Sequence, residues 1–286
     1  MLAICPTEEL EQAHLAEPVS HAKRAVDRWR NGVSSLTTDE IAEETPVAMV
    51  YNGISHAVML ATPIGLEQFG LGFSLAEGIL QHPQELYDME IVPQKDGIEL
   101  QMLISQERFA NLKQLRRNLA GRTGCGLCGA ESLQQVMRTP KPVGAGVHIS
   151  PEVLHLAFAQ LPSMQQLQTL TGAVHAAAWA LPDGSLLHLE EDIGRHNALD
   201  KLIGTMAKAK TPYNAGFAII TSRASFEMVQ KSAAVGIPFL AAISAPTGLA
   251  IELAAQAGIT LVGFARGGGH VIYTHSKRFI DHQVQL

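Results

Sequence analysis

Beyond residue 196 the chain repeats one pattern, and that pattern restricts the fold more than any other feature. Segments with helical apolar spacing at 197–208, 226–234 and 249–257 are interleaved with short uncharged runs at 216–221, 239–243 and 260–264. Strands separated by helices cannot pair as hairpins, so the alternation implies a largely parallel sheet with helices on its faces. The run 270–274 reads as a last strand. Upstream, 176–181 and 186–189 flank Pro182, Asp183 and Gly184 as a hairpin, preceded by helices near 151–160 and 164–170.

The first half reads differently. Runs 47–51 and 54–60 flank Asn52 and Gly53, a pair suited to a type I′ turn because both central residues need positive φ. Residues 65–80 carry Phe69, Phe73, Ala76 and Leu80 at helical spacing. A second strand pair, 87–92 and 98–104, surrounds Asp96 and Gly97, and a basic helix over 108–119 leads into a glycine-rich loop. Pro140, Pro142, Gly144 and Gly146 mark a linker. The expected division is a small N-terminal α+β domain over 1–139, ending in a mobile loop, and an α/β domain over 140–286. Residues 1–44 are polar and mixed, and read as a lead-in with a helix across 22–29.

Composition excludes whole classes of function. A chain of 286 residues, 47% hydrophobic and 17% charged, can bury a sizeable core and is not disordered. A net charge of −6 argues against general nucleic-acid binding. The charge-free stretches 153–182 and 232–251 are long enough to span a membrane. Prolines and glycines interrupt both, so neither is read as a span. The opening residues lack the basic start and apolar core of a secretory signal. Three cysteines, Cys5, Cys125 and Cys128, are too few and too odd in number for a secreted disulfide framework, so a cytoplasmic chain is expected.

Three patterns could carry chemistry. The sequence GCGLCG at 124–129 follows Arg116, Arg117 and Arg122. A four-thiolate zinc site is excluded, because Cys5 is the only other cysteine. A two-cysteine, two-histidine site, a redox pair, a sulfur-carrying thiol and an incidental turn all remain open. Arg122 and a helix starting near Glu131 would both favour a thiolate. The second pattern is positional: the runs ending at Thr221, Ile243 and Phe264 each enter a polar or glycine-rich loop. Ligands of open parallel sheets collect at such strand ends, where hydroxyls, backbone N–H groups and Arg266 suit phosphate. Each loop could equally be no more than a helix cap beside a solvated arginine. The third is EDIGRHN at 191–197, read equally as an acid–base or binding cluster and as a helix start capped by Asp192 or Asn197. His175 and His188, on apolar stretches, read as structural. A zinc deaminase is rejected, because the one suitable His-x-Glu, His188 to Glu190, follows the cysteine pair instead of preceding it.

Taken in order, GCGLCG at 124–129, EDIGRHNALDK at 191–201, SRASFEMVQK at 222–231, SAPT at 244–247 and VGFARGGG at 262–269 closely resemble the formate dehydrogenase accessory sulfurtransferase family, FdhD. The resemblance spans roughly 46–275. It implies a cytoplasmic, usually dimeric protein that takes sulfur from a cysteine desulfurase. The sulfur would pass to the bis(molybdopterin guanine dinucleotide) molybdenum cofactor, bound as the substrate being sulfurated, for formate dehydrogenase. Cys125 matches the persulfide carrier and Cys128 its partner. Phe264, Ala265, Arg266, Gly267, Gly268 and Gly269 match the cofactor-binding stretch, and no resident metal is implied. The implied fold of the C-terminal domain is cytidine-deaminase-like, a three-layer α/β arrangement without zinc chemistry. A non-catalytic chaperone that binds the cofactor without moving sulfur is the alternative. The chain departs from the family in having Glu67 as the only acid of the run 64–68, and in the step from Gly269 to His270.

Overall fold

Along the central strands, successive residues face two different cores. Ala177, Trp179, Ala218, Ile220, Leu240 and Ala242 belong to one, while Ala178, Ala180, Phe217, Ile219, Phe239 and Ala241 belong to the other. A strand apolar at every position must be covered on both faces, and this sheet is. The structure is a computed structural model that describes residues 19–117 and 141–280. Cys5, Cys125, Cys128 and the expected loop at 124–129 lie outside the described residues.

Six strands form the central sheet: β7 (His175–Ala180), β8 (Leu186–Asp192), β9 (Phe217–Ile220), β10 (Phe239–Ala242), β11 (Thr260–Arg266) and β12 (Gly269–Thr274). Their order is β12-β11-β10-β9-β7-β8. Helix α3 (Pro151–Met164) covers one face with Leu154, Ala157, Phe158 and Leu161. Helices α5 (Arg195–Lys208), α6 (Phe226–Val235) and α7 (Gly248–Ala257) cover the other. The three-layer α/β arrangement expected of the C-terminal half is therefore present. Its sheet is less parallel than the alternation suggested. Only β9, β10 and β11 run parallel, whereas β7, β8 and β12 join antiparallel. The antiparallel β12 follows from turn chemistry: Gly267 and Gly268, at φ 60° and 78°, close β11 and β12 into a hairpin where a loop was expected.

A second sheet packs beyond the α5–α7 layer. It contains β3 (Thr45–Tyr51), β4 (Ile54–Ala61), β5 (Leu86–Gln94) and β6 (Gly97–Ile104), in the order β4-β3-β6-β5, with α1 (Leu66–Ala76) and α2 (Gln106–Arg117). The turn at Asn52 and Gly53 has both residues at positive φ, as the sequence requires. Val47, Met49, Tyr51, Leu100 and Met102 face α1 and share one core with α5 and α6. Helices α1 and α5 meet through glycines. A Cβ on Gly72 would lie 1.7 Å from the Asp200 carbonyl oxygen, and one on Gly204 would lie 1.9 Å from that of Gln68. Any side chain at either position would force the helices apart.

The expected helix across 22–29 is instead a strand. β1 (His21–Arg30) pairs antiparallel with β2 (Val33–Ala42), in register from His21 opposite Ala42 to Arg30 opposite Val33. Asn31 and Gly32, both at positive φ, make the same turn as Asn52 and Gly53. Cross-strand pairs of opposite charge hold the ribbon: Lys23 lies 3.6 Å from Glu40 and Arg28 lies 3.4 Å from Asp39. The remaining short helix, α4 (Gln166–Thr171), lies against β2.

Candidate functional site at the strand-carboxyl edge

The parallel strands β9, β10 and β11 are neighbours, so the loops that follow them do meet at one edge. Backbone bonds join the loops directly: Ile243 N donates to Ile220 O at 3.0 Å, Thr247 N to Ala224 O at 3.1 Å, and Phe264 N to Ser244 O at 3.2 Å. Helices α5, α6 and α7 begin at this edge, from Gly194, Ser225 and Thr247. Their free N–H groups and dipoles favour an anion here. Thr247 also acts as an ordinary cap, accepting from Ala250 N, whereas the Ser225 hydroxyl makes no cap bond.

The stretch matched to the cofactor loop occupies the end of β11 and the turn into β12. Phe264 has φ 52° and is 39% exposed. A bulky residue at positive φ is strained, and such strain gathers at binding sites. Gly263 explains how the geometry is held: a Cβ there would sit 2.8 Å from Pro246 Cδ and 3.1 Å from Ser244 O. The next loop therefore grips the backbone just before Phe264. Ala265 is buried, while Arg266, Gly267, Gly268 and Gly269 are exposed. Nothing lies within 4 Å of a Cβ built on Gly267 or Gly268, so the turn backbone is open to a ligand.

The 191–201 motif divides. Asp192 and Lys201 are fully buried, with Nζ 2.6 Å from Oδ2. Thr62 N donates to that same Oδ2 at 3.0 Å, while Gly194 N and Asn197 Nδ2 donate to Oδ1 at 2.8 and 2.9 Å. Asn197 Nδ2 also donates to Leu60 O, and Lys201 Nζ to Thr62 O. Burial pushes the Lys201 ammonium down, against the pull of Asp192. The Glu191 carboxylate accepts from Leu167 N and Gln168 N. These residues tie the segment after β4 to the start of α5, and their donors and acceptors are spent on the fold.

Arg195 and His196, from the same motif, face the edge. His196 Nε2 lies 2.6 Å from Glu227 Oε2 and 3.5 Å from Ser225 Oγ, so the first turns of α5 and α6 are joined. The bond from His196 holds the Glu227 carboxyl below its usual range. Arg195 Nε is buried with no hydrogen-bond partner. His175 stands here too, because β7 runs antiparallel to β9. Burial lowers its pKa, and the charges of Arg195 and His196 lower it further. This placement of His175, read from the sequence as structural, follows only from the strand direction. His188 is structural, bonding Thr211 Oγ1 at 2.9 Å. The acid partnering His196 was also not foreseen, although Glu227 lies within SRASFEMVQK.

The profile of the FdhD/NarQ family matches residues 42–280. The sulfur carrier protein FdhD of Cupriavidus necator is 55% identical, across 95% of this chain and 94% of its own length. That of Xanthomonas euvesicatoria pv. vesicatoria is 51% identical, across 89% of this chain and 91% of its own. The crystal structure of a candidate formate dehydrogenase accessory protein from Desulfotalea psychrophila aligns with a TM-score of 0.73, covering 91% of this chain and 100% of that one. At 22% identity that likeness concerns the fold. With the profile match extending from the end of β2 to residue 280, and relatives above 50% identity over nearly the full length, the chain belongs to the FdhD/NarQ family.

Proposed function

We propose that this chain is a sulfur carrier serving formate dehydrogenase, as the names of its relatives describe them. Cys125 takes a sulfane sulfur from a cysteine desulfurase. The chain then delivers it to the bis(molybdopterin guanine dinucleotide) molybdenum cofactor, held as substrate at the strand-carboxyl edge. In the loading step the Cys125 thiolate attacks the outer sulfur of the desulfurase persulfide. A sulfur–sulfur bond forms on Cys125 as the donor's bond breaks, and the donor leaves as a thiolate, with no net oxidation. Cys128 is the partner thiol of the pair. The same reading has the chain acting in the cytoplasm as a homodimer.

The observation that carries this reading is the edge itself. Three helix N-termini, the unpartnered Arg195 Nε and the exposed Arg266 suit a diphosphate, although the chain as a whole carries −6. Phe264, half out of the surface, offers an apolar face for a guanine ring, and the open backbone at Gly267 and Gly268 lets phosphate approach closely. The test is intact-mass measurement after incubation with a desulfurase and cysteine. One thiol-labile sulfur should be gained by the parent chain and not by Cys125→Ala. A Cys125→Ala chain that still gains it would move the carrier elsewhere.

A further inference from the structure

On the opposite face of the sheet from α5, two imidazoles meet across elements. His155 lies on α3 and His270 is the second residue of the edge strand β12. His155 Nε2 is 3.2 Å from His270 Nδ1, with the rings tilted by 53°. His270 is held from behind by Phe279, stacked on it at 15°. Both histidines are partly buried. Burial and then the neighbouring His155 hold the His270 pKa below its usual range.

Two imidazole nitrogens this close, on rings fixed by a helix and a strand, match what a metal ion asks of two adjacent ligands. With metal–nitrogen bonds of about 2.0–2.1 Å, nitrogens 3.2 Å apart subtend about 100° at the ion, between octahedral and tetrahedral angles. We propose that His155 and His270 form a two-histidine chelate for a divalent transition metal such as Zn2+. Binding replaces the hydrogen bond between the rings, and the displaced proton moves to the outer nitrogen of its own ring. Among the described residues no set of three His, Cys, Asp or Glu side chains surrounds a metal position, so water completes the coordination. The ion ties β12 to α3 immediately after Gly269, and so stiffens the base of the turn.

The probe is Zn2+ alone, titrated calorimetrically into the full chain with Cys5, Cys125 and Cys128 replaced by Ser, because thiolates would otherwise compete. One equivalent should bind, and His155→Ala and His270→Ala should each weaken it by about tenfold or more. Long-range proton–nitrogen NMR of the same thiol-free chain provides a readout that does not depend on the variants folding. The His155 Nε2 and His270 Nδ1 signals should move together as Zn2+ is added. Zinc affinity unchanged by both substitutions, or titration that leaves these two nitrogens unshifted, would overturn the site.

Discussion

Asp192 and Arg195 are near neighbours in one motif, yet they belong to regions governed by different physics. Inside, Asp192, Asn197 and Lys201 have been taken out of water and hold one another, so each depends on its partners. Outside, Arg195 and the exposed Arg266 bring guanidinium charge to the edge, where it is available to a ligand. A short polar motif can therefore serve folding with one set of side chains and binding with another. Removing one residue at a time separates the two.

Lys201→Met should have the largest effect. It leaves the Asp192 carboxylate buried with three hydrogen-bond donors but no counter-charge, and breaking such a pair typically costs about 3–5 kcal/mol. Arg195→Ala, which gives up no hydrogen bond at Nε, should cost far less than that. Urea denaturation of both variants measures the contrast. Equal losses would erase the division of the motif.

A second buried cluster sharpens the comparison through pH. Asp200 Oδ2 lies 3.0 Å from Lys231 Nζ, which also lies 2.7 Å from Glu77, while Asp200 Oδ1 has no partner. Burial raises the Asp200 pKa to about 7 against the pull of Lys231, with Glu77 and Asp192 adding to the rise. Tyr51, another titratable group, also faces it. Burial opposes the Lys231 charge, but Asp200 and Glu77 hold that pKa above its usual range. Unfolded, Asp200 returns to about 3.9. Between those values the folded chain keeps a proton that the unfolded chain has lost. The Asp200 contribution therefore falls as pH rises from about 4 to 7 and is level above. From pH 5 to 8 the parent should lose roughly 2–3 kcal/mol relative to Asp200→Asn. Parallel stability–pH curves for the two chains would show that Asp200 does not hold that proton.

The glycines at the α1–α5 crossing come next. Gly204→Ala puts a Cβ against the Gln68 carbonyl and should cost about 1–3 kcal/mol by forcing the helices apart. Gly248→Ala, at the start of α7 with nothing within 4 Å, should be neutral or slightly stabilising. A Gly204→Ala chain as stable as Gly248→Ala would mean the helices can separate freely.

What the sequence revealed follows the same line. The hairpin at Asn52, the helix–strand alternation and the loops at one edge were legible because local turn chemistry and periodicity dictate them. Asn31 and Gly32 carry the same turn signal as Asn52 and Gly53, but the flanking 21–42 segment is too polar to resemble a half-buried strand pair. Polar ribbons held by cross-strand charges give little hydrophobic period to read. The fate of Asp192 and Lys201 was illegible for another reason. Their partners Thr62 and Leu60 lie more than a hundred residues away, so only the packing of α1 against α5 brings them together. Cys125 and Cys128 stood out by spacing alone, and their function rests on the family resemblance and on the mass measurement.

The smallest effect on stability concerns the exposed half, where the loss is of binding instead. Arg266 extends from the β11–β12 turn beside open glycine backbone, and a guanine nucleotide is a fragment of the proposed substrate. A charge-assisted contact to phosphate is typically worth about 1.5–3 kcal/mol, so Arg266→Ala should weaken GDP roughly tenfold or more while leaving the denaturation midpoint in place. Salt should weaken binding to the parent more than to the variant, because screening acts on the charge that the variant lacks. Calorimetric titration of GDP, with ADP as control, reads both effects. Equal GDP affinity in parent and Arg266→Ala would move the phosphate away from this turn and toward Arg195, whose Nε has no hydrogen-bond partner. A folded parent that binds no GDP would remove the nucleotide from the edge altogether, leaving the strain at Phe264 and the open turn without the ligand they are proposed to serve.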